Sequence, residues 1–321
     1  MGESLAATSN LLVYSAMTVY AVALLAFALD LSGRGRTAAA PARQEALVGA
    51  GAGRGSAPVR DDAETGVRRR AAAVGVSTTW LALALHTAAV VTRGVSAGRV
   101  PWGNMYEFTL TGAAVVTAVF CVVLLRRDLR YLGVFVVGPV LLTLGIALSV
   151  LYTESAQLVP ALQSYWLVIH VSVATVSSAL FVIAFSLNVL QLVQDRRERL
   201  AAAGRPPRRG RFMERLPGSE ELERAAYRLI AVSFPLWSFT LVAGAIWAER
   251  AWGRYWGWDP KEVWTFVIWV VYAAYLHARA TRGWDGRRSA YVAIAGFACI
   301  LVNWGVVNVF FPGNHSYAGI G

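Results

Sequence analysis

The sequence predicts an all-α integral membrane protein of about eight transmembrane helices, with both termini and a tryptophan-rich loop on the extracytoplasmic face. Three observations carry that prediction. Apolar residues make up 56% of the chain and mean hydropathy is +0.49, beyond an ordinary soluble domain of this length. Eight windows, 11–31, 71–92, 108–125, 131–152, 165–193, 227–248, 262–280 and 289–311, are apolar enough to cross a bilayer, which takes about 20 residues of helix. The basic residues then fix the orientation. Of the 30 Lys and Arg, 25 fall in the alternate connections 32–70, 126–130, 194–228 and 279–288, and cytoplasmic loops collect such residues. Arg93, Arg99, Arg250, Arg254 and Lys261 are left for the outer face. The net charge of +11 and pI near 10.2 thus follow from topology and anionic lipid. No nucleic-acid partner is expected.

Each element has its own reason. The first window lacks a basic leader and a small-residue cleavage site, so it reads as a retained helix rather than a signal peptide. Residues 32–70, rich in Ala, Gly, Pro and Arg, read as a disordered cytoplasmic linker, which leaves 71–321 as a seven-helix domain. Residues 194–228 read as an extension of the fifth span, a flexible RPPRRGR turn and a short amphipathic piece from Ser219. The Ser219 hydroxyl is placed to cap a helix carrying Glu220, Glu221 and Glu223 in its first turn. Cys121 and Cys299 lie inside spans with no CxxC pairing, which points to small core residues and away from thiol redox or zinc chemistry. No nucleophile or general-base pair is visible, so no catalytic residue is assigned.

The segment 247–269 organises the chain. It holds six of the twelve tryptophans, Trp247, Trp252, Trp256, Trp258, Trp264 and Trp269, and the single lysine, Lys261, between Asp259 and Glu262 in its surroundings. Gly253, Gly257 and Pro260 prevent one continuous helix through its middle. An interfacial aromatic belt accounts for a tryptophan or two at a helix end, but not for WGRYWGWDPKEVW. A surface for a large, flat, amphiphilic ligand accounts for the polar residues as well. Asp259 before Pro260 also reads as a helix start, with Asp as N-cap and Pro at the first helical position.

Histidines complete the pattern. His170 lies near the outer end of the fifth span and His315 just beyond the last one, both on the side of the tryptophan loop. Two imidazoles flanking an aromatic shelf suit axial ligation of a haem iron. Arg250, Arg254 and Lys261 are the cations at hand for its propionates. A hydrogen-bonded interfacial histidine and a solvated tail residue are the plain alternatives for the two. His277 lies roughly 22 Å into the seventh span at 1.5 Å per residue. It is either a ligand on the side where haem comes in or an interfacial residue beside Arg279. His86 reads as a buried, hydrogen-bonded histidine.

WGRYWGWDPKEVW resembles the WWD signature of haem-handling membrane proteins in cytochrome c maturation. PWGNMYEF at 101–108, YRLIAVSFPLWSFTLVAGAIWA at 227–248, the YLHAR that ends span seven and NHSYA at 314–318 extend the resemblance over residues 75–319. It is to the CcsA/ResC family of system II, the actinobacterial CcsB type. The resemblance implies haem b as a carried ligand, His170 and His315 as its axial ligands, and His277 as a membrane-embedded histidine linked to haem admission. On this reading Trp252, Trp256 and Trp258 form a looped platform for the porphyrin, and Asp259, Lys261 and Glu262 fix the loop and the haem edge. It further implies a bacterial cytoplasmic membrane, a haem site on the extracytoplasmic face, a ResB-like membrane partner and delivery to the CxxCH of an apocytochrome c. A thioredoxin-like thiol reductant acts upstream. Any enzyme activity then belongs to the complex. Three other readings stay open: a system I protein loading a haem chaperone, a membrane transporter with broken helices near mid-membrane, and an electron carrier that keeps its haem.

Overall fold

A computed structural model describes residues 2–32, 60–154, 162–205 and 211–315. Among the described residues the chain is helical, without strands: α1 (Gly2–Ser32), α2 (Arg60–Ala97), α3 (Met105–Leu124), α4 (Gly133–Ser149), α5 (Tyr165–Ala202), α6 (Ser219–Trp252), α7 (Pro260–Arg282) and α8 (Gly286–Phe310). All eight are long and apolar enough to cross a membrane, and each covers one expected window. Most of the linker expected at 32–70, and the centre of the RPPRRGR turn, lie outside the described residues. α2 begins at Arg60 rather than at 71. The sequence 60–73 is rich in Arg and Ala, good helix formers that prolong an apolar helix into the polar phase.

The start of α6 corrects an expectation. There is no separate amphipathic piece, since one helix runs from Ser219 to Trp252. Gly218 occupies the N-cap position and the Ser219 hydroxyl caps nothing. It donates instead to the carboxylate of Glu198 on α5, which also accepts the Ser219 backbone N–H at 3.0 Å. A carboxylate from a neighbouring helix thus satisfies an orphan donor and the positive end of the α6 dipole, and a capping hydroxyl is not needed.

Two halves pack side by side. α1–α4 share a core that includes Tyr20, Phe27, Tyr106, Leu110 and Leu144. α5–α8 share another around Phe181, Trp237, Ile268, Tyr272 and Phe297. Phe181 stacks on Tyr272 with ring centroids 3.8 Å apart, and Phe185 on Phe297 at 4.3 Å. His86 is buried as expected, its Nδ1 3.3 Å from the Tyr20 hydroxyl, which donates to Thr117 Oγ1 at 3.2 Å. Cys121 and Cys299 are free thiols, Cys121 fully buried.

The helices alternate in direction. One end of the bundle therefore gathers the α2–α3 and α6–α7 connections, and the other gathers the arginine-rich ones. At the tryptophan end a buried charge cluster pins the α2–α3 connection. Glu107 Oε1 accepts Arg93 Nε at 3.2 Å, while Oε2 accepts Arg99 Nη1 at 2.6 Å and Gly103 N at 2.9 Å. Arg93 Nη2 donates to Thr153 O at 2.6 Å, and Asn104 caps α3 by accepting the Glu107 N–H at 2.8 Å. Neither Arg93 nor Glu107 is more than 1% exposed. Trp102, Asn104 and Met105 are thereby held over a cavity between the two halves.

Candidate functional site

The site grows from one face of α6. Thr240, Gly244 and Trp247 recur at helical spacing and face His170 of α5. His170 Nδ1 lies 2.9 Å from Thr240 O. A carbonyl only accepts, so Nδ1 carries the hydrogen and Nε2 keeps its lone pair. The imidazole stacks on Trp247, with centroids 5.9 Å apart and planes 15° from parallel. Gly244 makes room for it. A Cβ there would stand 2.7 Å from His170 Cε1 and 2.9 Å from Nδ1.

The α6–α7 connection supplies the second imidazole's support. Gly253, at φ +70°, closes α6 in the left-handed region and donates its N–H to Glu249 O at 2.8 Å. α7 then opens with Asp259 as N-cap, Pro260 at the first position and Glu262 completing a capping box. Glu262 Oε2 accepts the N–H groups of Gly257 at 2.8 Å and Asp259 at 3.1 Å, which holds the loop against the helix. Asp259 does more than cap. Its Oδ1 accepts Lys261 N at 3.0 Å and His315 Nδ1 at 2.8 Å, and its Oδ2 accepts Asn314 N at 2.6 Å. Burial pushes the Asp259 carboxyl up, but the hydrogen bonds it accepts from His315 and from the two backbone N–H groups outweigh it and hold it below the usual carboxylate range. With its Nδ1–H given to a carboxylate, His315 also keeps a free Nε2. Its ring stands edge-on to Trp247 and Trp252, with centroids at 5.3 and 5.0 Å. Trp247 therefore touches both imidazoles.

Lys261 sits in the first turn of α7, where a positive charge opposes the helix dipole. Its ammonium reaches Asn303 O, at 2.8 Å, in the π-helical turn Val302–Val307 of α8. Asn303 Oδ1 and Glu262 Oε1 are buried with no hydrogen-bond partner. These groups, with His170, His315, Trp247 and Trp256, border one mostly apolar cavity of about 990 Å³. That is at the upper end of ligand pockets, roughly 300–1,000 Å³. Among the described residues no group of three or more His, Cys, Asp or Glu is placed to hold a bare metal ion. Two imidazoles suit an iron whose equatorial ligands come from a porphyrin.

The other expected site residues are distributed as follows. Trp256 borders the cavity, whereas Trp252 ends α6 and packs on His315. Trp258 is 75% exposed at φ +58°, edge-on to Trp256 at 5.8 Å, and does not border the cavity. The three do not make one platform, because Gly253 ends the helix between the first and the others. Arg250 is exposed beside Glu249 at 3.5 Å, and neither it nor Arg254 borders the cavity. His277 is exposed on α7 towards the arginine-rich end, away from the cavity. Sequence reasoning gave no role to Trp247, Thr240, Gly244 or Asn303. The first three lie at helical spacing within the quoted 227–248 motif, a signal that they share one face but not of what that face meets.

Comparison with known proteins places the chain among cytochrome c assembly proteins. A family model described as cytochrome C assembly protein matches residues 102–315. The cytochrome c biogenesis protein CcsA of Prochlorococcus marinus is 38% identical over 250 residues, 71% of this chain and 78% of that protein. CcsA of Synechococcus elongatus is 34% identical over 286 residues, covering 76% and 87%. CcsA of Guillardia theta is 35% identical over 260 residues, covering 76% and 85%. Among solved structures, one named cytochrome c heme lyase CcmF shares the fold at a TM-score of 0.64 and 14% identity. The alignment covers 94% of this chain but 46% of that one, so the chain spans about half its length.

Proposed function

The chain belongs to the cytochrome c assembly family, as a multi-pass membrane protein that handles haem in cytochrome c maturation. On that footing we propose that it holds haem b between His170 and His315 at the extracytoplasmic face and presents it to apocytochrome c. One observation carries this reading. Both histidines border the same cavity with Nδ1 committed to a fixed acceptor, Thr240 O for one and the Asp259 carboxylate for the other. Metal-ligating histidines are oriented by that kind of outer bond, which leaves Nε2 for the metal. The Lys261 ammonium, with Asn303 beside it, is the cation placed for a propionate. Trp247 and Trp256 give aromatic walls.

In attachment, each cysteine thiol of a CxxCH segment adds across a haem vinyl group. A C–S bond and a C–H bond form from the S–H and the C=C, with no net redox change. The chain contributes position: the iron fixed by two imidazoles, the porphyrin edge presented near the exposed Trp256–Trp258 loop, and water kept from its apolar face. A ResB-like partner supports the peptide, and a thioredoxin-like reductant keeps its cysteines as thiols. Copurification with a ResB-like protein, rather than with a haem chaperone, separates system II from system I. The ligand assignment is tested by His170→Gly and His315→Gly. Each is expected to convert a six-coordinate low-spin haem spectrum to five-coordinate, and added imidazole restores it. An unchanged spectrum in both variants refutes the assignment.

A further inference from the structure

Four buried polar atoms have no hydrogen-bond partner on residues that border the cavity: Trp102 Nε1, Thr109 Oγ1, Glu262 Oε1 and Asn303 Oδ1. Such atoms are costly to leave unmet, and native proteins keep few of them. Their concentration around one cavity points to a polar occupant. They come from both halves of the bundle, two from the α2–α3 connection and α3, two from α7 and α8.

They also gather near one level. Asn308 Nδ2 of α8 meets Met105 Sδ of α3 at 3.1 Å, where these antiparallel helices come together beside the cavity. Thr109 lies four residues further along α3, one turn or about 6 Å deeper, on the face of Met105. Asn303 lies five residues back along α8, inside the π-helical turn Val302–Val307, whose hydrogen bonds span five residues. Thr109 and Asn303 therefore stand on facing walls, one turn below that contact. The Lys261 ammonium is at the same level, because it donates to Asn303 O at 2.8 Å.

Hydroxyls in helices often turn back to the carbonyl four residues earlier. Thr117 does so to Ala113 O at 3.0 Å, and Thr175 to Val171 O at 2.6 Å. Thr109, 3% exposed, does not take Met105 O. One step between staggered χ1 rotamers swings that free hydroxyl about Cβ towards a ligand. Trp102 is held just above. The backbone on either side of it is tied to α3, with Pro101 O accepting Thr111 Oγ1 at 3.2 Å and Gly103 N donating to Glu107 Oε2 at 2.9 Å. Its indole can only donate. The Trp102 N–H, the Thr109 O–H and the further N–H bonds of Lys261 all suit an anionic oxygen. Glu262 Oε1 and Asn303 Oδ1 only accept, and a bridging water links such groups to a bound anion.

Resting on the haem reading above, we propose that Trp102 and Thr109 form half of a carboxylate site, completed across the cavity by Lys261, which takes the haem propionates. Both iron ligands lie in the second half of the bundle, and ligation by two imidazoles leaves the ring free to turn about the axis through them. A carboxylate site off that axis stops the rotation and ties the porphyrin to the first half.

The test compares hemin with its dimethyl ester, which keeps the iron and the ring and loses both negative charges. Full-length apoprotein in detergent is titrated with each, and the low-spin spectrum is followed. Thr109→Val keeps the shape and removes the hydroxyl; Trp102→Phe keeps an aromatic ring and removes the N–H. The wild type is expected to prefer hemin, and each variant to weaken hemin binding about tenfold with ester binding unchanged. Unchanged ester binding also certifies the fold, and either variant alone suffices. Ser178→Ala removes another cavity hydroxyl, eight residues beyond His170 and about 12 Å deeper, and is expected to alter neither affinity. Equal losses for the two porphyrins in both variants overturn the proposal, since they mark a packing role. Unchanged or tighter hemin binding in both also overturns it and leaves the four atoms to water, as does a selective loss in Ser178→Ala. Failure of the haem reading looks different: neither porphyrin gives the wild type a low-spin spectrum.

Discussion

Gly244→Ala is the sharpest perturbation of the site, because it adds one methyl group and touches one ring. The new Cβ would lie 2.7 Å from His170 Cε1 and 2.9 Å from Nδ1. Carbon contacts settle at about 3.5–4.0 Å, so the imidazole must retreat by on the order of 1 Å. That is enough to break its 2.9 Å bond to Thr240 O. Loss of an orienting outer bond costs roughly 10–100-fold in metal affinity, about 1.4–2.8 kcal/mol. Meanwhile alanine is the better helix former by roughly 0.5–1 kcal/mol, which offsets the strain of moving the ring. The signature is thus a weaker haem affinity in a protein that stays folded. Haem titration of the purified protein, read in the Soret band beside its thermal unfolding in detergent, measures both. Gly145→Ala on α4, where a Cβ meets nothing within 4 Å, is the control and leaves haem affinity unchanged. A Gly244→Ala protein with wild-type affinity and an unshifted low-spin spectrum would show that His170 is not held as described.

Asp259→Ser leaves a hydroxyl for the α7 cap but nothing for His315. Protein level is expected to hold and haem affinity to fall about 10–100-fold, read by the same titration. The wild-type carboxyl is held below the usual carboxylate range, so its bonds are complete at neutral pH and are lost as pH falls through the lowered value. Thermal stability of the apoprotein should therefore drop below about pH 4, and the Asp259 contribution to that drop should vanish in the serine variant. Trp256→Ala removes a cavity wall and should lower haem retention on purification. Trp258→Ala should retain haem and lose transfer to apocytochrome c, measured as covalent haem staining. Glu107→Gln leaves two arginines sharing no counter-charge, one of them 1% exposed. A loss of about 3–5 kcal/mol should appear as a lower thermal midpoint, together with weaker ordering of the Trp102–Met105 roof in hydrogen exchange.

The fold was legible because membrane helices announce themselves. Once water is excluded, backbone groups are satisfied only within a helix, and length with apolarity then suffices. α1 to α8 accordingly fall where the windows are. Helix ends were less legible. Ser219 has the residue type of a cap, but the acceptor that decided its role, Glu198, lies 21 positions away on another helix. The site was legible where chemistry is carried by rare residue types: His170, His315, Lys261 and the Asp259–Glu262 box. It was illegible where geometry does the work. Nothing in a sequence says that Trp247 stands between two imidazoles, or that the carbonyl of Asn303 is offered to Lys261. The loop tryptophans were misjudged as a set for a related reason. Their spacing shows that they cannot share one helical stripe, yet not that Trp252 belongs to the helix before them.

The solitary lysine has a consequence for anyone handling this protein. With Lys261 half-buried on the cavity wall, the rest of the surface carries no ε-amine, only guanidinium groups. Amine-directed cross-linkers, acetylating reagents and dyes therefore find one side chain only, and a lysine label that attaches reports the cavity wall. Shielding of that single amine by whatever fills the cavity turns an inventory accident into a one-residue occupancy gauge.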